Sequence, residues 1–266
     1  MEPRIDAAEA NRRFYRTVAE TYDEKELAVA NPRARALLQG ALQRALSLVS
    51  PSPAVLDACG GSGNASELIV RMGAHPVLVD VSPEMLALWQ EKAKYLDVEP
   101  EMVEAEILDF LRNDRRMWDV VVFSSALHHL DDYERVVEAA LARIRPGGVL
   151  VTAFDPPLAG RGDRLLRRLD WVLFQAIHEP RDFLTTVRGR LHRSRLDEAP
   201  VGRLAERYAL DGVDDLALCR LLESRGFEVL VHERSPEARL GIVRALLRIM
   251  RRSGAFHLLA RRRLAT

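Results

Sequence analysis

Cysteine is scarce in this chain. Its 266 residues include two, Cys59 and Cys219, with no CxxC and no Cys/His cluster around either. That pattern excludes a disulfide scaffold and a structural zinc site, predicts no metal centre, and points to the cytoplasm as compartment. Long apolar runs are missing as well, and none approaches the ~20 residues of a membrane-spanning helix. The first residues, MEPRIDAAEANRR, carry charges where a secretory signal has its apolar stretch. Lysine is nearly absent, with Lys25, Lys92 and Lys94 among 39 basic residues. We read that bias as genome composition and draw no function from it.

What is present suits a globular chain. A hydrophobic fraction of 48% and a charged fraction of 29% exclude a disordered or fibrous protein, and the length buries a sizeable core in one domain. The zero net charge hides an asymmetry. Residues 1–155 carry 17 basic against 25 acidic side chains, and residues 156–266 carry 22 against 14. A positive second half can attract an anionic substrate or surface.

From Ala54 onward, short apolar runs alternate with helix-period segments. The runs begin at Ala54, Pro76, Met102, Asp119, Val149, Phe227 and Phe256. The first five lack polar alternation, as strands covered on both faces do. Helices are expected over 66–72, 83–96, 133–144 and 216–225, with Arg145-Pro146-Gly147-Gly148 as a stop and turn. This is a doubly wound, Rossmann-like α/β pattern. Residues 1–50 read as a helical N-terminal cap, 51–157 as the ligand-binding core, 158–212 as a helical insertion and 213–266 as the end of the sheet.

The most informative stretch is VLDACGGSGN, residues 55–64, a strand running through a glycine-rich turn into a helix. Gly60, Gly61 and Gly63 let the backbone turn sharply and approach a ligand. Asp57 discriminates among the folds that use such a loop. A carboxylate there opposes a pyrophosphate and suits a ligand with a cationic amino group. Asp80 ends the next strand, where it can accept both hydroxyls of a ribose. Glu106-Ile107 follows the third strand and can read an adenine edge, with Glu104 and Asp109 as competitors for Glu106. Amino group, ribose and adenine together describe S-adenosylmethionine.

Residues 55–154 resemble the class I S-adenosylmethionine-dependent methyltransferases, in particular the small-molecule group that includes ubiquinone and menaquinone methyltransferases. VLDACGGSG resembles the family's VLDLGCGTG, which implies Ala58 and Cys59 as further loop contacts. VLVDVSPEML resembles its second motif, with Asp80 and Val81 on the ribose side and Met85 beside the adenine. DVVVFSSALHHL and RPGGVLV resemble the fourth- and fifth-strand motifs, and Phe14…Tyr22-Asp23 resembles the group's N-terminal "F…YD" helix. One departure stands out: the family's first loop glycine aligns with Cys59, and Gly60 stands where the family often has cysteine. The resemblance implies a seven-stranded sheet in order 3-2-1-4-5-7-6 with the last strand antiparallel.

Ser124 and Ser125 end the fourth strand, where small side chains leave room for the methionine part of the ligand. His128 and His129 follow as candidate general bases, the plain alternative being packing at a helix start. Asp155-Pro156-Pro157 reads as a stop and turn into the insertion. Trp171, Phe174 and Phe183 either wall an apolar acceptor or pack the core, with residues 1–30 and 158–212 closing over the acceptor and Arg188 and Arg190 steering an acidic group. His178 and His192 read as surface residues. The arginines at 161, 164, 167, 168, 188, 190, 193, 195, 244, 248 and 251 read either as a solvated helix face or as a membrane-surface or anionic-lipid contact. Nucleic acid is not an expected partner, since aromatics are not interleaved and the chain is neutral. The expected function is methyl transfer to O, N or C of a small acceptor. The alternatives are a catalytically silent cofactor-binding module and a nicotinamide-dependent oxidoreductase.

Overall fold

The computed structural model describes residues 7–25, 31–178 and 211–264. Seven strands form one sheet: β1 (Val55–Ala58), β2 (Pro76–Asp80), β3 (Glu101–Glu104), β4 (Trp118–Ser124), β5 (Ile144–Asp155), β6 (Phe227–Ser235) and β7 (Ala255–Arg262). Their order is β3-β2-β1-β4-β5-β7-β6. The first five run parallel, and β7 is antiparallel to both β5 and β6. Order and direction match the expectation from the motifs.

The strands are apolar on both faces because helices cover both. Along β4, Val120 and Val122 join one core with Val55, Val149 and Val151, while Val121 and Phe123 join the other with Leu56 and Leu150. This is the two-residue period of a strand. Helices α2 (Pro32–Ser47) and α3 (Asn64–Arg71) close the first core, and Leu38 and Leu42 of α2 are wholly buried there. Each such leucine contributes about 1.5–3 kcal/mol. Helix α4 (Pro83–Tyr95) sets Trp89 and Leu86 on Leu78. Helices α5 (Ile107–Asn113), α6 (Tyr133–Ala142) and α8 (Asp215–Ser224) close the second core.

Two details depart from the sequence reading. The Arg145–Gly148 stretch is not a turn after a helix but part of β5, which already pairs with Trp118 through Ile144. A register shift after Trp118 takes up the irregularity, and Gly147 at φ +82° supplies the backbone that other residues resist. Strand β3 is not covered on both faces. It is the sheet's edge, with Glu101 and Glu104 exposed, as edge strands tolerate.

The order of strands reverses between β1 and β4, so their carboxyl ends open the crevice where doubly wound sheets hold ligands. Helix α1 (Ala7–Lys25) lies on that edge, and α7 (Arg161–His178) follows β5 beside it. Helix α9 (Gly241–Ile249) packs against α7. No described helix is long and apolar enough to cross a membrane. Phe183, Arg188, Arg190, His192, Arg193 and Arg195 lie outside the described residues, as do the side chains of Arg161, Trp171 and His178.

Candidate active site

The loop after β1 is built by close approach. A Cβ on Gly60 would stand 2.6 Å from Leu78 and 2.9 Å from the carboxyl carbon of Asp57, and one on Gly63 would stand 2.3 Å from Trp89. Gly61 and Gly63 take φ of +55° and +78°, and Cys59 takes φ 56°. Cysteine thus occupies the left-handed position where the family's loop glycine would sit without strain. Gly60 in turn fills a position where a side chain would collide. The exchanged pair preserves the loop, with the backbone N–H of Gly60 donating to the Val79 carbonyl at 3.1 Å.

Asp57 and Ala58 end β1 fully buried. One Asp57 oxygen accepts from the Ser66 backbone N–H at 3.0 Å and from the Ser66 hydroxyl at 2.6 Å, which secures the first turn of α3. The other, Oδ1, is buried and accepts no hydrogen bond. Burial pushes the carboxyl up to about 6. Asp80 ends β2 and accepts from the backbone N–H of Gly61 and of Ser82, both at 2.9 Å. Each oxygen keeps a second lone pair for a hydroxyl. Burial raises its pKa as well. Met85 is buried in the first turn of α4, its methyl facing Gly61. Ser82 caps that helix by accepting from the Met85 N–H at 3.3 Å. Glu106 is half-buried and caps α5, accepting from the Asp109 N–H at 2.9 Å, with Ile107 buried behind it.

The ends of β4 and β5 carry a second group. Ser125 stands at φ 56° beside the half-buried Ser124, and its N–H donates to the Ala153 carbonyl at 2.7 Å. His128, 8% exposed, meets Asp155 twice: its backbone N–H lies 3.1 Å and its Nδ1 2.8 Å from the same oxygen, Oδ1. Oδ2 of Asp155 is buried without a donor. Burial, with the charges of Arg239 and Arg167 added, pushes His128 down to about 3, so it is neutral at physiological pH. The His129 ring lies beside it, tilted by 40° at 4.0 Å between ring centres, and shares a 3.1 Å hydrogen bond with the Tyr15 hydroxyl.

Helix α1 spans these groups and is fastened along its length. The Asn11 side chain donates to the His129 carbonyl, Arg12 donates to the Val81 carbonyl, and Arg16 pairs with Glu84. Tyr22 lies edge-on to Tyr15 at 5.7 Å. At the far end Asp23 binds Lys92 at 2.7 Å and accepts from the Ser62 hydroxyl at 2.6 Å, while Lys92 also reaches Ser62 and Asn64. One helix therefore ties the glycine loop, the β2 end and the β4 end together.

Electrostatics show what this edge can hold. Burial first, and then the charges of Asp80, Glu106, Asp57 and Asp155, push the Cys59 thiol well above its ordinary range. Four carboxylates from four strand ends thus bear on one point. A pyrophosphate meets repulsion there, and a cationic ligand meets attraction. The buried acceptor Asp57 Oδ1 suits an ammonium donor and the glycine loop admits a ligand, so the residues fit S-adenosylmethionine. Among the described residues no three His, Cys, Asp or Glu side chains group as a metal site would.

Sequence reasoning missed Asp155, which a proline pair disguised as a turn. A carboxylate ending β5 beside a histidine after β4 was the available signal. Asp23 stood out only through the F…YD resemblance, and the latch it forms had no signal, because its partners Ser62, Asn64 and Lys92 lie on the glycine loop, α3 and α4.

Residues 55–148 match the family model described as "Methyltransferase domain". The ubiquinone biosynthesis O-methyltransferase of Xylella fastidiosa strain 9a5c is 28% identical over 96 residues, which is 36% of this chain and 39% of that protein. The chain thus matches about two fifths of that relative's length. In fold it is similar to the N-methyltransferase NodS of Bradyrhizobium japonicum WM9, solved with S-adenosyl-l-homocysteine, at TM-score 0.60 and 14% identity over 95% of this chain and 98% of that one. The [4+2]-cyclase SpnF is similar at TM-score 0.66 and 13% identity, over 98% and 97%. Matched motifs, strand order and acidic sheet edge agree with this likeness: residues 55–148 match the methyltransferase domain model, and the sheet has the Rossmann-like order of the fold neighbours.

Proposed function

We propose that the chain transfers a methyl group from S-adenosylmethionine to an oxygen, nitrogen or carbon of a small acceptor in the cytoplasm. The observation that carries this reading is the buried, unsatisfied Oδ1 of Asp57 beside a glycine loop on an edge of four carboxylates. Bound there, S-adenosylmethionine supplies an electrophilic methyl on a cationic sulfur. Asp57 accepts from the amino end, Asp80 from the ribose hydroxyls, and Met85 and Ile107 pack on the adenine, with Glu106 at its edge. Ala58, Cys59, Gly60, Gly61 and Gly63 line the ligand, Val81 flanks the ribose, and Ser124 and Ser125 leave room for the methionine part. Tyr22 and the rest of α1 close the site against water.

The Asp155 carboxylate only accepts, so it holds the proton of His128 on Nδ1. That leaves the Nε2 lone pair to take the proton of an acceptor O–H or N–H, and Asp155 stabilises the resulting imidazolium. His129, held by Tyr15, orients the ring beside it. Phe174, buried on α7, walls the acceptor side.

The test is to incubate the chain with methyl-labelled S-adenosylmethionine and a panel of phenols, quinols, amines and carboxylic acids. A labelled product lost in His128→Ala and in Asp57→Asn supports the reading. Tight cofactor binding with no labelled product from any acceptor makes the chain a silent binding module. The [4+2]-cyclase among the fold neighbours keeps that distinction real, since fold alone does not set activity.

A further inference from the structure

Two touching helices beside the site each turn a row of large apolar side chains to solvent. On α7, Leu165, Leu169 and Val172 follow at i, i+4 and i+7 and are 68%, 40% and 37% exposed. On α9, Ile242, Leu246 and Ile249 repeat that spacing at 68%, 37% and 78%. Such spacing makes one stripe of a helix. The helices pack through other positions, Leu166 with Leu240, Val243 and Leu247. The row of Leu240, Val243 and Leu247 is therefore the core-facing one, and Met250 beyond the helix is exposed. The exposed rows are second stripes. A lone exposed leucine is ordinary, but two adjoining rows form a patch.

The unpaired charge around the patch has one sign, since the exposed Asp211 is paired with Arg164 of α7 at 3.1 Å. Helix α9 contains no acidic residue. Of the two on α7, Asp163 is paired with Arg252 at 2.6 Å, and the buried Asp170 accepts from the backbone N–H of Arg239 and Leu240. Arg168, Arg248 and Arg251 are exposed, and none has a carboxylate partner among the described residues. A second copy of this face would set arginine against arginine, so self-association is opposed by charge. An apolar stripe flanked by unpaired cations complements a layer with acyl chains inside and negative headgroups outside.

We propose that α7 and α9 dock this chain on an anionic lipid surface, with Leu165, Leu169, Ile242 and Ile249 in the headgroup–acyl boundary and Arg168, Arg248 and Arg251 at the phosphates. The face adjoins the acceptor side of the site. Arg167 of α7 donates to the Pro157 carbonyl at 2.6 Å, two residues beyond Asp155. Docking therefore brings His128 and Asp155 toward the bilayer and opens the site to apolar acceptors dissolved in it. The docking itself stands apart from the methyl-transfer reading.

The test is flotation of the whole chain with phosphatidylcholine vesicles, with and without phosphatidylglycerol. Binding at least about tenfold stronger to the anionic vesicles, weakened by salt, is expected. The double variant Ile242→Asp/Ile249→Asp should lose at least about tenfold of it while S-adenosylhomocysteine affinity is retained, which excludes unfolding. Equal binding to both vesicles, or unchanged binding of the double variant, overturns the proposal. A dimer in solution that the same variant dissociates assigns the face to a second copy and overturns it too, as does binding of an acidic protein without vesicle binding. A chain that binds vesicles as described and methylates no acceptor leaves the docking intact and removes only the function proposed above.

Discussion

One oxygen of Asp155 accepts from both the backbone N–H and the Nδ1 of His128, at 3.1 and 2.8 Å. Two bonds from one residue to one oxygen fix the imidazole's position and its tautomer together. The adjoining β4 and β5 ends bring the pair to the carboxyl edge of the sheet.

That pair sets a pH profile. Burial pushes Asp155 up to about 7, and His128 is pushed down to about 3 by burial and the charges of Arg239 and Arg167. His128 therefore stays neutral while Asp155 loses its proton, and kcat should rise with pH through about 7. Asp155→Asn should lower kcat by roughly 10²–10⁴-fold, remove that rising limb, and leave the KM for S-adenosylmethionine nearly unchanged. A rising limb that persists in the variant would contradict the pairing.

Cofactor affinity should follow Asp57. Its carboxyl is held near 6 by burial, and the ionised form binds an ammonium far more strongly than the neutral one. Binding of S-adenosylhomocysteine should weaken as pH falls through about 6 and become flat in Asp57→Asn, at roughly 10–100-fold lower affinity. Calorimetry across pH 5–8 (about the range needed to span the transition) reads both effects.

The same residue should trade stability for binding. A carboxyl raised from 3.8 to about 6 contributes stability that is full below pH 3.8 and lost as pH rises through about 6. At a pH above that window the buried charge costs on the order of 3 kcal/mol. Asp57→Asn should then raise the Tm of the ligand-free chain at alkaline pH and leave it little changed in acid. A lower Tm at both would show that its bonds to Ser66 outweigh the buried charge.

The exchanged loop pair predicts an asymmetry. Cys59→Gly relieves a left-handed residue worth about 1–2 kcal/mol against about 0.5–1 kcal/mol of added chain entropy. Stability should rise slightly or stay level, with cofactor binding kept. Gly60→Ala drives a Cβ into Leu78 and Gly63→Ala drives one into Trp89, so each should lose about 1–3 kcal/mol. Denaturant titration separates these outcomes.

The α1 latch should govern cofactor release. Asp23→Ala removes the ion pair to Lys92 and the bond to Ser62, both partly exposed. Dissociation of S-adenosylhomocysteine should speed up by about tenfold, and Lys92→Ala should add little to it. Additive effects in the double variant, read by stopped-flow, would mean that the two residues act separately.

How much was legible follows from where the information sits. β1, β2 and β4 are buried on both faces, so their residues are mostly apolar and the runs beginning at Ala54, Pro76 and Asp119 announced them. Asp57 and Asp80 were legible because each ends such a run beside glycine or serine. β5 was cut short because its first residues pair across a register shift, and Pro146 and Gly147 there look like a turn. Glu106 was legible as an acid after β3, but its capping of α5 depended on a short helix that local pattern did not mark. The exposed row on α9 is not separable in sequence from the buried row on the same helix, because both repeat at helical spacing. Asp155 with His128, and Asp23 with Lys92, are made only by the fold.

The most direct measurement is calorimetric titration of the purified chain with S-adenosylhomocysteine and, separately, with NAD, beside Asp80→Ala. The account predicts micromolar binding of S-adenosylhomocysteine, lost in the variant, and none of NAD, whose pyrophosphate meets the carboxylates around the glycine loop. Binding of NAD alone, or S-adenosylhomocysteine binding that Asp80→Ala leaves intact, would contradict it.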